Sequence, residues 1–145
     1  MSAWRAALLL VAFAACASSR SSDAGRPPAR VLIETAAGQR HAVAVEVARS
    51  EAELTRGLMQ RERLAPDAGM LFVFDVSEVH SFWMKDTLIP LDMMFIDEGG
   101  RIVGIVERAE PRTLSLRSVD APSRYVLEVN GGWSAAHGVR AGDHV

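Results

Sequence analysis

The stretch HSFWMKDTLIPLDMMFID, residues 80–97, decides how the chain folds. Its apolar residues can line a core, yet Lys85, Asp86 and Asp92 stand among them. Successive side chains of a strand point to opposite faces, so alternation sorts the segment. Residues 79–85 and 91–97 form two expected strands joined by Asp86–Pro90. Phe82, Met84, Leu91, Met93 and Phe95 then share a core face, while Trp83, Lys85, Asp92, Met94 and Ile96 share its reverse. That second face is too apolar for open solvent and too charged for a dry interior. An unpaired charge in a dry core costs several kcal/mol, comparable to a small domain's whole margin of stability. Lys85 is therefore expected to reach water or to pair with Asp92 or Asp86. One arrangement is a cross-strand ion pair closing the hairpin, contributing up to ~1 kcal/mol if exposed. The other is a half-open groove with Trp83 as an apolar wall and Lys85 as a fixed polar group.

The flanking sequence continues in short strands. Residues 31–35 are strand-like, and in 41–47 the valines at 43, 45 and 47 mark one face. Ser50-Glu51-Ala52-Glu53 matches a capping box, which predicts a short helix from about Glu51 to Leu58. Met70–Phe74 is a continuous apolar run, as in a strand covered on both faces. Further strands are expected at 101–106, 113–116 and 125–129, with one helical turn within 131–137. This pattern predicts a mainly β fold: a compact β-sandwich, jelly-roll-like or barrel-like domain with one or two short helices. Residues 31–145 make a single domain of about 115 residues, a common size for one core.

Ahead of it, Met1–Arg5 carries one positive charge and Ala6–Ala15 is unbroken apolar sequence. That run is far short of the ~20 residues that span a bilayer but fits the apolar region of an export signal, so residues 1–15 are expected to be a signal peptide. Phe13-Ala14-Ala15-Cys16 resembles a bacterial lipobox, with Phe13 where Leu is usual. Cys16 is then the lipidated residue, and the Ser- and Pro-containing stretch 16–30 a flexible tether. The expected location is the periplasmic face of a membrane, as an outer-membrane lipoprotein. An ordinary cleaved signal at Ala12-Phe13-Ala14 would instead leave a soluble periplasmic or secreted protein. A single cysteine allows no internal disulfide. The formal net charge of −2 gives no basic field for nucleic acid, so none is expected as a partner.

A second candidate site lies in Thr55–Arg61, where Arg56 and Arg61 flank Leu58 and Met59, with Glu46 and Glu53 as possible partners. Cations favour helix C-termini, so this can be a solvated helix end with local ion pairs. Alternatively the two arginines share an anion pocket.

The segments RGLMQRERL, GMLFVF, FWMKDTLIPLDMMFID, YVLEVNGGW and HGVRAGD occur in an order that resembles the domain of unknown function 192 family. The resemblance covers nearly all of residues 31–145. It implies a compact, mostly β domain of jelly-roll or sandwich type, found in exported bacterial proteins and in archaea, with no assigned activity. The family's motifs fall on Arg56, Gly57, Leu58, Met59 and Arg61, and on Gly69, Met70, Phe82, Trp83, Met84, Lys85, Thr87, Pro90 and Asp92. Asp86 stands where the family usually has Asn.

Catalytic chemistry finds little support. His80 and Ser81 would point to opposite faces of a strand, and no G-x-S-x-G pattern exists. Asp86 and Asp92 form the obvious carboxylate pair for an enzyme acting on an envelope polymer or glycan, but the adjacent lysine opposes the neutral acid such chemistry needs. His80, Met84, Met93 and Met94 could hold Cu(I) through thioether and imidazole ligands, although strand methionines commonly fill cores. No cofactor is expected. The candidate ligand-binding residues are Arg56, Met59, Arg61, Trp83, Lys85, Asp86, Thr87 and Asp92. The expected partner is a small anionic or amphipathic ligand, or an envelope protein.

Overall fold

The computed structural model describes residues 29–145, so the expected signal peptide, Cys16 and nearly all of the tether lie outside the described residues. In chain order the elements are β1 (Ala29–Glu34), β2 (Arg40–Ala48), α1 (Glu51–Arg56), β3 (Ala68–Glu78), β4 (Leu91–Ile96), β5 (Ile102–Ala109), β6 (Ser123–Asn130) and α2 (Trp133–Ala136). The protein is mainly β with two short helices, as its sequence pattern predicts. All six strands join one mixed sheet in the order β1-β2-β3-β6-β4-β5. The sheet does not close into a barrel. Its edges are instead linked by the C-terminal residues: Glu34 and His144 exchange backbone hydrogen bonds of 2.7 and 3.1 Å, while the Ile102 and Val145 N–H groups donate to Asp143 and Gly100.

Local chemistry sets these elements. Ser50 and Glu53 form the expected capping box, satisfying N–H groups that a helix start leaves without partners. The helix crosses between β2 and β3, which pair parallel and therefore need a connection of this kind. In β4 every residue is buried, which requires cover on both faces. Met94 and Ile96 join Val31, Ile33, Val43, Val45, Leu127 and Trp133 on one side. Leu91, Met93 and Phe95 pack with Met70, Phe72, Met84 and Val126 on the other. The expected division of β4 into two faces therefore holds.

The expected hairpin does not form. Strand β4 sits between β5 and β6 and has no free edge for residues 79–85. Those residues make one isolated bridge, with Phe82 and Arg117 exchanging backbone hydrogen bonds of 2.8 and 2.7 Å. The expected strand at 113–116 does not form either: the bridge falls on Arg117, just beyond it, and the Met84 N–H donates to the Thr113 carbonyl. A turn then follows, closed by the Thr87 N–H on the Met84 carbonyl at 3.2 Å, with Asp86 at φ 53°. Asn and Asp tolerate this left-handed conformation, which accounts for Asp at a position where the resembled family has Asn.

The expected Lys85–Asp92 ion pair is also absent. Asp92 is fully buried and accepts hydrogen bonds from the backbone N–H groups of Arg108, Gly132 and Ser134 at 2.8, 2.8 and 2.9 Å. It thereby ties β4 to the end of β5 and to the start of α2. Lys85 instead lies over the Trp83 ring, with Nζ 5.3 Å from its centroid. Asp92→Ala strands three backbone donors, each costing about 1–3 kcal/mol when buried without a partner. Urea denaturation of this variant is expected to show a loss of at least about 3 kcal/mol, whereas Lys85→Ala, touching none of these bonds, is expected to leave stability nearly unchanged.

Candidate functional site

Two lips rise over the sheet face formed by β3 and β6. The first is α1 and its exit. Helix α1 ends at Gly57, whose φ of 46° favours a residue without Cβ. A Cβ there would stand 3.1 Å from Phe72 Cζ and 4.0 Å from Glu128 Oε2, so only a glycine lets the backbone pack this closely on the floor. The second lip is the 80–87 segment. The lips are joined where the Gln60 N–H donates to the Asp86 carbonyl at 2.9 Å.

Between them lies a cleft of about 460 Å³, within the ~300–1,000 Å³ range of small-molecule sites. Leu54, Leu58, Phe72, Phe74, Phe82 and Trp83 supply its apolar walls, and Arg49, Glu51, Arg56 and Asp75 its charged lining. Phe82 meets Phe72 edge-to-face at 5.2 Å and Phe74 likewise at 6.2 Å. Such aromatic pairs hold each other's geometry.

The Glu128 carboxyl and His80 Nε2, both on this cleft, have no hydrogen-bond partner among the described residues. Glu128 lies in register between Met70 of β3 and Met93 of β4, is 4% exposed and carries no side-chain hydrogen bond among the described residues. Burial among these neighbours pushes its carboxyl up to about 8, because a low-dielectric setting disfavours the charged form. His80 stacks on Phe74 with ring centroids 3.6 Å apart, and its buried Nε2 has no hydrogen-bond partner.

Of the residues singled out from sequence, Arg56, Met59, Trp83 and Thr87 line this cleft. Arg61 and Asp86 line an adjoining depression with Arg56 and Met59. Arg61 is engaged there by Glu46, with guanidinium–carboxylate distances of 2.5 and 2.6 Å. That contact draws the Glu46 carboxyl below its usual range. Lys85 borders the cleft through Trp83, and Asp92 lies outside it, on the far face of β4. Asp86 and Asp92 therefore do not face a common cleft. The Cu(I) quartet does not converge either: Met94 belongs to the core on the opposite side of the sheet from Met84 and Met93. Among the described residues no group of three or more His, Cys, Asp or Glu side chains is placed to hold a metal ion. Sequence reasoning missed Glu128, Arg49 and the phenylalanine walls as site residues. The signal for Glu128 was present in YVLEV, where an acid follows Val126 at the strand period of two and so shares its core face.

The raised carboxyl makes stability depend on pH. In the unfolded chain a glutamate ionises near 4.5, whereas folded Glu128 holds its proton to about 8. Its contribution is whole below 4.5 and is lost as pH rises through this window, by up to about 1.4 kcal/mol per pH unit. Urea denaturation across the window is expected to show Glu128→Gln gaining stability relative to the native chain as pH rises. A difference that stays constant with pH contradicts the burial of an unpartnered carboxyl.

A family model described as Uncharacterized ACR, domain of unknown function 192, matches residues 32–145. The crystal structure of a candidate transcription regulator from Sinorhizobium meliloti 1021 is similar, at 42% identity and a TM-score of 0.78, over 79% of this chain and 89% of that one. A protein of unknown function from Novosphingobium aromaticivorans DSM 12444 is similar at 36% identity and a TM-score of 0.76, over 79% of this chain and 81% of that one. No curated protein matches the chain significantly. With a family match across the whole folded region and two solved structures of this likeness, the chain belongs to the domain of unknown function 192 family.

Proposed function

We propose that the domain is a non-enzymatic binding module whose cleft takes a small amphipathic ligand with an anionic end. The observation that carries this reading is the combination of aromatic walls with two free cations at the mouth. Arg49 and Arg56 line the cleft, and neither has an ion-pair partner among the described residues. The guanidinium fork suits a carboxylate or phosphate, and the half-exposed Trp83 and Met59 offer an apolar flank. Arg61, held by Glu46, is assigned no contact with the ligand.

The export reading belongs to the same proposal. Cys16, lipidated, would fix the module to the periplasmic face of a membrane, with the stretch to residue 30 as its tether. Metabolic labelling with a radioactive fatty acid in a Gram-negative host is expected to mark the native chain and not Cys16→Ala. Equal labelling of both would remove the anchor from the account.

The binding reading is tested by thermal melting of the purified chain with 3-phenylpropionate, an apolar ring carrying one carboxylate. A ligand at 100 times its Kd adds ~2.7 kcal/mol of stability. A rise in Tm that disappears in the Arg49→Ala/Arg56→Ala double variant is the expected result. An unmoved Tm at millimolar probe, or a rise that survives loss of both arginines, contradicts the proposed site.

A further inference from the structure

We infer that the floor of the cleft binds an organic ammonium group, with Glu128 as its counter-charge, so that the ligand is a zwitterion whose ammonium enters first and whose carboxylate stays at the mouth. The inference rests on the binding reading above and fixes the polarity of the ligand.

It begins with an unfilled requirement. Buried polar groups in native structures almost always have hydrogen-bond partners, and an exception calls for a physical explanation. Glu128 comes close to such an exception: it is only 4% exposed, lines an open cleft, and has no side-chain hydrogen bond among the described residues. His80 Nε2, on the same cleft, is a second. Gly57 matters here because its backbone packs directly against Phe72, where a Cβ would crowd the ring at 3.1 Å and lie 4.0 Å from Glu128 Oε2. A ligand atom at the floor of the cleft would meet the carboxyl and the aromatic walls together.

The chemistry of that space selects the group. An ammonium carries three donors and a charge that compensates the carboxylate, where a hydroxyl would supply only a hydrogen bond. Aromatic faces add attraction for a desolvated cation, and Phe72 and Phe82 stand on this wall. An anion at the floor would keep Glu128 protonated and leave its own desolvated charge uncompensated. The ligand's negative end is therefore directed outward, where Arg49 and Arg56 stand.

Binding of this kind moves a proton. Alone, the Glu128 carboxyl is protonated; beside an ammonium its ionised form is favoured, and the proton leaves to solvent. The other charged or titratable groups on the cleft are Asp75 of β3, His80 of the following segment, and Arg49, Glu51 and Arg56 around α1. Strand β4 faces Glu128 with the uncharged Met93.

Three probes sharing one ring separate the possibilities: L-phenylalanine with both charges, phenethylamine with the ammonium alone, and 3-phenylpropionate with the carboxylate alone. Each is titrated calorimetrically into the full chain and into Glu128→Gln at pH 6.5, in two buffers of different ionisation enthalpy. Melting curves confirm that the variant is folded. Phenylalanine is expected to bind more tightly than either single-charge probe. Both amines are expected to release about one proton per molecule bound and to weaken roughly thirtyfold or more in Glu128→Gln, as loss of one partner of a buried charge pair does. Amine binding that is unchanged in Glu128→Gln, or that releases no proton, overturns the inference. Binding of 3-phenylpropionate alone overturns it while leaving the anion-binding module intact, and binding of none of the three overturns both.

Discussion

A central strand that must be covered on both faces governs this structure. Strand β4, LDMMFI, is buried at every position, so the sheet needs one layer of side chains above it and another below. The two cores differ in what closes them. On one side α2 and the C-terminal residues seal the sheet, with Asp92 holding the start of α2 through backbone N–H groups. On the other, α1 and the 80–87 segment lie across β3 and β6 without meeting over Glu128. The gap between those two lips is the cleft.

The same architecture explains why Glu128 is exceptional. Its backbone is fixed by pairing β6 with both β3 and β4, so its side chain cannot leave the face it shares with Val126. Met70 and Met93 flank it in the sheet, and neither can solvate a charge. A leucine at this position would suit the core better. The carboxyl's cost in the empty protein and the absence of a protein donor have a common explanation if a ligand completes the site. Asp92 is the useful contrast: equally buried, it has three partners and a purely structural task.

Local chemistry was legible in the chain. The capping box of Ser50 and Glu53, the alternation of β2, the two-faced burial of Met70–Phe74 and the sorting of Met93 from Met94 all follow from neighbours in sequence. What failed was pairing over distance. Residues 80–84 alternate as a strand should, yet β5 and β6 occupy both edges of β4, and no local pattern reveals that competition. Arg56 and Trp83 were placed near a groove from their own segments. The spacing of YVLEV puts Glu128 on the core face of its strand, but that this face floors a cleft depends on β6 standing between β3 and β4, a fact of topology. Lys85 and Asp92 were assigned to each other on charge alone; the backbone donors that satisfy Asp92 come from residues 16 to 42 positions away.

The central claim is that an unpartnered carboxyl waits at the floor of the cleft. Its most direct measurement is a carbon-13 titration of the Glu128 side-chain carboxyl in the unliganded protein, assigned by its disappearance in Glu128→Gln. The account predicts a midpoint near 8. A midpoint at or below the ordinary value of 4.5 would mean that water or a protein donor already serves Glu128, and no unmet requirement would remain at the floor for a ligand's ammonium to fill.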